Sequence, residues 1–422
     1  MLALLFLASS LAASNPSDDL RAGVAKIDIT PQKPCVLAGY AGRTNLSTGV
    51  HDPLSARAVV FEHGGRRLAI ISADILGFYN DTAAPLIESI TGACGLEPAQ
   101  LMLSAIHTHA APSPVLETGK SHPNNIEYTE MLRDRLTAVT KDAISKCRPV
   151  RTGYQSGACP VGINRREAFT DKNGVRQIRL GRNPGGQTDP EVQALEICEK
   201  DSDRIIAVLF GYATHGTSLG SKNMVVSGDV LGLAAQFVEK YLAGGMIAAP
   251  FAGASGDIDP YFRVLPEIKT ADNWIAEPVL LGTFLGEEVV HTSAAIRGFN
   301  SAGPVRSLMS TLTLPAKASD PKAGNANPKP LDFKITAARV GEVAIVGLGG
   351  EVFNGIGRTI KKSSPFAHTI VITHCNGAAG YLVCPEAYAE GGYEVRTTRF
   401  SPEAAGMVIK ETQSLLARLK EE

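Results

Sequence analysis

From Gly23 to Thr30 the chain alternates apolar and polar residues, then halts at Pro31. That period of two predicts a first strand. Ala56–Phe61 and Arg67–Ser72 are β-rich runs separated by Gly64-Gly65, a hairpin pattern. A helix is predicted from Asn80 or Asp81, and the apolar run Leu101–Ile106 suits a buried strand. Between Glu127 and Ile144 the period lengthens, with Leu132, Leu136, Val139 and Ile144 on one helical face. Val192–Cys198 and Arg204–Tyr212 predict a second hairpin around a polar Asp-Ser-Asp turn. Helices follow over Asp229–Tyr241 and Glu277–Ala295, with the strand Met246–Ala252 between them. Val343–Gly347 is a strand running into Glu351 and a helix through Ile360, Thr369–Thr373 a further strand, and Pro402–Leu419 a closing helix. Strands and helices mix throughout, so the fold class expected is α/β, with mixed α+β layers in one large domain and active residues at strand ends. Pro315–Pro330 is expected to be an exposed loop.

Composition narrows the function classes. The 422 residues are 44% apolar and 20% charged, a globular balance, and the net charge of -1 with no long basic run gives nucleic-acid binding no support. Met1–Ala13 is Leu-rich, too short to span a bilayer, and is expected to be an export signal, although no basic residue precedes it. The mature protein is therefore expected to be secreted or periplasmic, without a transmembrane segment. Seven cysteines fit an oxidising compartment without demanding one; Cys375 and Cys384 suit a disulfide or a pair of buried thiols equally.

The sharpest local feature is Ser104-Ala105-Ile106-His107-Thr108-His109, a strand that delivers a His-x-His pair into a Pro-rich turn. Alternate residues of a strand share a face, so both imidazoles can enter one cleft, and imidazole is the commonest zinc ligand. His215 ends another apolar strand, in the same strand-to-turn context. Glu351, between a strand and a helix, is either a ligand or an acid on the helix dipole. Tyr381 follows Asn376-Gly377-Ala378-Ala379-Gly380, where a phenol oxygen can line a pocket or ligate. Asp257 and Asp259 sit on a tight turn after a strand, fit for a base or for turn formation. Arg165 can aim a guanidinium at substrate oxygen or serve as surface charge.

Taken in order, these segments resemble the neutral/alkaline, non-lysosomal ceramidase family. The likeness begins at Ala22–Pro31 and Gly39-Tyr40-Ala41, and continues through Gly49-Val50-His51-Asp52-Pro53-Leu54 and His107-Thr108-His109. It extends through Asn164-Arg165, His215, Ser227-Gly228-Asp229, Gly256–Pro260, Gly350-Glu351 and Gly380-Tyr381. The resemblance implies a zinc amidase cleaving the N-acyl bond of ceramide to sphingosine and fatty acid. It implies His107, His215, Glu351 and Tyr381 as zinc ligands, His109 as the second, catalytic histidine, and Arg165 as the substrate-orienting arginine. Where the family has a serine in a Gly-Asp-x-Ser-Pro turn, this chain has Asp259, so a zinc-activated water with Asp259 as base, and Asp257 as the alternative, is expected. No C-terminal immunoglobulin-like domain is expected. Residues 20–422 are read as the catalytic domain. The partner expected is a small-molecule or lipid amide, with transient contact to a membrane surface compatible with it. Other readings are a zinc hydrolase for a different amide or ester, and a non-catalytic exported zinc-binding protein. A Ser-His-Asp hydrolase is disfavoured, because Gly253-Ala254-Ser255-Gly256-Asp257 lacks the second glycine of a nucleophile elbow.

Overall fold

The structure is a computed structural model that describes residues 19–264, 276–318 and 329–421. The export signal expected over Met1–Ala13 and most of the loop expected over Pro315–Pro330 lie outside the described residues.

Side-chain alternation builds the layers. In the strand Ser55–His63, Ala56, Ala58 and Val60 pack into one core while Val59 and Phe61 pack into another on the opposite face. Arg66–Ala73 divides the same way, with Ala69 and Ile71 on one side and Leu68 and Ile70 on the other. Both faces are therefore covered, which explains why these strands read as nearly continuous apolar runs. They belong to an eight-stranded mixed sheet ordered Ile247–Ala252, Ile205–Tyr212, Glu191–Glu199, Arg148–Ala158, Arg21–Asp28, Ser55–His63, Arg66–Ala73, Leu101–Ala105. Helices Asn80–Cys94 and Pro123–Ser145 cover one part of its outer face, and Asp229–Leu242 with Glu277–Ala294 cover another. A four-stranded sheet, ordered Val305–Leu314, Leu331–Val340, Val343–Leu348, His368–Ile372, shares the central core with it. Helices Asn354–Ser363 and Ala404–Glu421 close the far side.

Within the eight- and four-stranded sheets three strand pairs are parallel, and each is joined by a helix. Arg66–Ala73 pairs with Leu101–Ala105, Ile205–Tyr212 with Ile247–Ala252, and Val343–Leu348 with His368–Ile372. The crossovers are Asn80–Cys94, Asp229–Leu242 and Asn354–Ser363. Parallel pairing requires such a crossover, and in open α/β sheets the carboxyl ends of the strands are where ligands bind. His107, His215, Asp259, Glu351 and His374 all follow carboxyl ends of these strands. Gly228 is the N-cap of the helix Asp229–Leu242, and the Asp229 carboxylate is turned back to accept from Ser218 Oγ. Of the two alternatives left open for Cys375 and Cys384, the structure has free thiols, as for the other five cysteines.

Candidate metal centre and active site

The two histidine loops are pinned to each other by backbone. Thr108 and Gly216 form a parallel bridge, with His109 N donating to Gly216 O at 2.8 Å and Gly216 N to His107 O at 3.2 Å. The approach requires a glycine: a Cβ on Gly216 would lie 2.7 Å from Thr108 Cα and 2.8 Å from His107 O. His107 itself holds a left-handed backbone, φ 62°, an uncommon conformation for a side-chain-bearing residue. Two buried acids from the recognisable motifs brace these loops from behind. Asp52 accepts from Ser227 Oγ and, at 2.9 Å, from Gly228 N, while Asp229 accepts from Ser218 Oγ and, at 2.8 Å, from Val230 N. Thr108 Oγ1 completes the brace by donating to Ser227 O at 2.8 Å.

Hydrogen bonds fix the tautomers. His107 Nδ1 donates to Leu76 O at 2.8 Å, and His215 Nδ1 donates to Ser255 O at 2.8 Å. Because a carbonyl only accepts, each Nδ1 carries the proton and each Nε2 presents a lone pair. Both Nε2 atoms lie 3.5 Å from Glu351 Oε2, a buried oxygen without a hydrogen-bond partner among the described residues. His109 Nε2 stands 3.4 Å from His107 Nε2, and the nitrogens of His107, His109 and His215 lie within 4.8 Å of one another. Burial would raise the Glu351 carboxyl, but the facing His107, His215 and His374 hold it well below the usual carboxylate range. Burial, reinforced by His107 and His215, pushes His109 well below an ordinary imidazole, so it is neutral. Lone pairs and an anion converging on one point make a donor set that fits a divalent cation.

Glu351 and Tyr381 come together because their two short strands pair in parallel with those residues in register. Arg165 ties the rest together. Its Nη2 donates to Tyr381 Oη at 3.0 Å, Nη1 to Asp259 Oδ1 at 3.1 Å, and Nε to Glu394 Oε1 at 2.8 Å. Nη1 also lies 3.1 Å from His215 Nε2. Burial opposes the Arg165 charge, but Tyr381, Asp259 and Glu394 outweigh it and hold the guanidinium firmly protonated. Asp259 is placed beside Arg165 by antiparallel pairing of Ile258–Pro260 with Gly162–Thr170. The structure thus gathers His107, His109, His215, Glu351, Tyr381, Arg165 and Asp259 at one place. Asp257 is placed apart: its carboxylate accepts from Asn354 N at 2.8 Å and Asn164 Nδ2 at 3.2 Å, holding the start of the helix Asn354–Ser363. Burial pushes Asp257 up to about 6. A cleft of about 770 Å³ opens over the cluster, with His109, Arg165, Asp259 and Tyr381 in its wall.

His374 was not singled out in the sequence. Its ring stacks on His107, centroids 3.8 Å apart and planes 11° from parallel, and it too has a left-handed backbone, φ 52°. The available signal was its position, a further histidine just past the end of a β-rich run, as for His107 and His215.

The sequence signature described as neutral/alkaline non-lysosomal ceramidase, N-terminal, matches residues 20–263. The chain belongs to the neutral/alkaline ceramidase family. Among curated members it is 25% identical to neutral ceramidase of Oryza sativa subsp. japonica over 251 residues, covering 57% of this chain and 31% of that protein. It is 26% identical to neutral ceramidase of Mycobacterium tuberculosis over 265 residues, covering 57% and 40%. The chain thus spans roughly a third of the length of the curated ceramidases it matches. In three dimensions it resembles neutral ceramidase from Pseudomonas aeruginosa, with a TM-score of 0.78 over 96% of this chain and 75% of that one, at 18% identity. A ceramidase complexed with C2 gives a TM-score of 0.80, likewise at 18% identity, over 96% of this chain and 76% of that one. These two likenesses establish the ceramidase fold for the described residues.

Proposed function

We propose that this protein is a zinc-dependent amidohydrolase that cleaves an N-acyl amide bond, with ceramide, giving sphingosine and a fatty acid, as the reference substrate. The observation that carries the proposal is the convergence of the His107 and His215 Nε2 lone pairs on Glu351 Oε2 beneath an open cleft. His107, His215 and Glu351 would hold the ion, with the Tyr381 hydroxyl beside them. Bound zinc supplies Lewis acidity, lowering the pKa of water and drawing electron density from an amide carbonyl. Asp259 acts as the base. Its Oδ1 is engaged by Arg165, while Oδ2 takes no hydrogen bond among the described residues and is the proton acceptor. Water adds to the carbonyl carbon, the C–N bond breaks, and the proton taken by Asp259 passes to the departing nitrogen. Arg165, fixed on three sides, orients the substrate oxygen, and the neutral His109 ring meets the substrate at the cleft floor. A structural zinc site is closed by its protein ligands, whereas this cluster reaches the cleft through His109 and Tyr381, which favours an enzyme over a binding protein. Export is part of the proposal and rests on Met1–Ala13 alone. No helix among the described residues is long and apolar enough to cross a membrane.

The test is turnover of a fluorescent N-acyl sphingosine by purified, zinc-loaded protein beside a chelated control. Chelator-sensitive cleavage is expected, and His107→Ala or His215→Ala should lose both zinc and activity. Stoichiometric zinc without cleavage would reject ceramide and leave other amides or esters. Retained stoichiometric zinc in both variants would overturn the ligand assignment.

A further inference from the structure

The cleft over the cluster is cationic. Arg43, Arg165, Lys222 and Arg263 line it, against the single carboxylate of Asp259. Arg165 is already matched by Asp259 and Glu394. The other three are not: no ion pair joins Arg43, Lys222 or Arg263 to a carboxylate among the described residues. Arg43 is the most telling. It is 8% exposed, and its guanidinium meets no carboxylate among the described residues: Nη1 donates to Asn223 O at 2.9 Å, Nη2 to Ala38 O and His109 O, and the group lies over the Tyr40 ring, 5.0 Å from its centroid. Its Nε is buried without an acceptor. A buried cation held by carbonyls and an aromatic face, without a carboxylate, gains from a nearby anion. Lys222 follows the His215 loop and Arg263 follows Asp259, so the three charges come from three separate segments facing one volume.

The rest of the wall mixes polar groups with apolar surface. Thr44, Asn45, Thr217 and Ser221 contribute hydroxyl and amide groups, beside the apolar surfaces of Ala41, Leu180, Met224 and the rings of Tyr40, Tyr381 and Tyr393. We propose that the preferred substrate is an N-acyl amide carrying an anionic group close to the scissile bond, recognised by Arg43, Lys222 and Arg263. The proposal rests on the amidohydrolase reading for the bond cleaved and adds the class of compound. One-sign charge in a cleft also attracts its ligand from solution, so the preference is strongest at low ionic strength.

The experiment compares kcat/KM of the zinc-loaded protein on three matched compounds: an N-acyl ethanolamine, its phosphate ester, and the corresponding N-acyl glycine. The charged compounds are expected to be favoured by about tenfold or more at low salt, chiefly through KM, with the margin shrinking as salt is added. Whichever of phosphate and carboxylate is cleaved faster identifies the anion. Lys222→Gln/Arg263→Gln should bring the margin over the neutral compound close to one. Equal or better turnover of the neutral compound, or an unchanged margin in the double variant, would overturn the proposal. Calorimetric binding of the same compounds separates the two readings. Anion-selective binding without cleavage would leave the cleft assignment standing and reject amide hydrolysis, whereas binding without charge preference would sink the cleft assignment itself.

Discussion

Adding one methyl group at Gly216 tests whether the metal centre is set by the contact between the two histidine loops. The Cβ of Gly216→Ala would sit 2.7 Å from Thr108 Cα. Carbon pairs rest at about 3.5–4.0 Å, so the loops must part by about 0.8 Å or more. Both obstacles, Thr108 Cα and His107 O, are backbone atoms, and no side-chain rotation relieves them. The displaced strand end carries His107 on one side and His215 on the other, so the spacing of two proposed ligands changes directly. Overpacking of this kind costs about 1–3 kcal/mol, or about 1–3 °C in the melting temperature of a chelated protein of this length. Disturbing the support of a metal ligand typically weakens metal binding by about 10–100-fold. Zinc affinity from competition with a chromophoric chelator is the assay. The control is Gly406→Ala on the exposed face of the helix Ala404–Glu421, where a Cβ meets nothing within 4 Å. Wild-type zinc affinity in Gly216→Ala would refute the view that this contact sets the ligand spacing.

Three further predictions follow from the same geometry. Asp259→Asn should retain stoichiometric zinc while lowering kcat by about 10²–10⁴-fold, and undiminished turnover would move the base elsewhere. His374→Ala removes the ring stacked on His107 and should weaken zinc binding about tenfold, with His374→Phe recovering most of it; an unaffected alanine variant would make the stack incidental. Asp257 has its carboxyl raised from 3.8 to about 6, so the stability it contributes is full below pH 4 and lost as pH rises through 6. The stability of wild type relative to Asp257→Asn, from urea unfolding of chelated protein, should therefore fall by about 3 kcal/mol between pH 4 and 7. A difference independent of pH would contradict that.

Where apolar periodicity was strong, the elements were legible to within a few residues, as with Leu101–Ala105 and Pro123–Ser145. The strand Arg176–Asn183 escaped notice because most of it is exposed and its sequence, Arg-Gln-Ile-Arg-Leu-Gly-Arg-Asn, has no buried face to impose a period. Arg148–Ala158 was missed for another reason. Its Gly153 takes the place of an apolar side chain, and a Cβ there would lie 2.5 Å from Ile296 Cγ2. Candidate chemistry was legible as strand-end histidines and acids, but not the division between Asp257 and Asp259. Two residues apart on one turn, they differ only in what tertiary packing offers them, Asn354 N–H in one case and Arg165 in the other.

The proposed ligands come from separate strand–helix–strand units, the first at His107 and the last at Glu351. Bringing those two together closes a loop of about 240 residues, and such a contact forms only once the intervening chain is largely ordered. No fragment can prefigure the ion site, so occupancy reports cooperative folding of the whole assembly and not of any single unit. Ion binding then adds stability by mass action to all three units at once, and a lesion in any one of them lowers the affinity that the other two display. An intact centre is in that sense a checksum on the fold, readable with a metal-sensitive dye before any substrate is known.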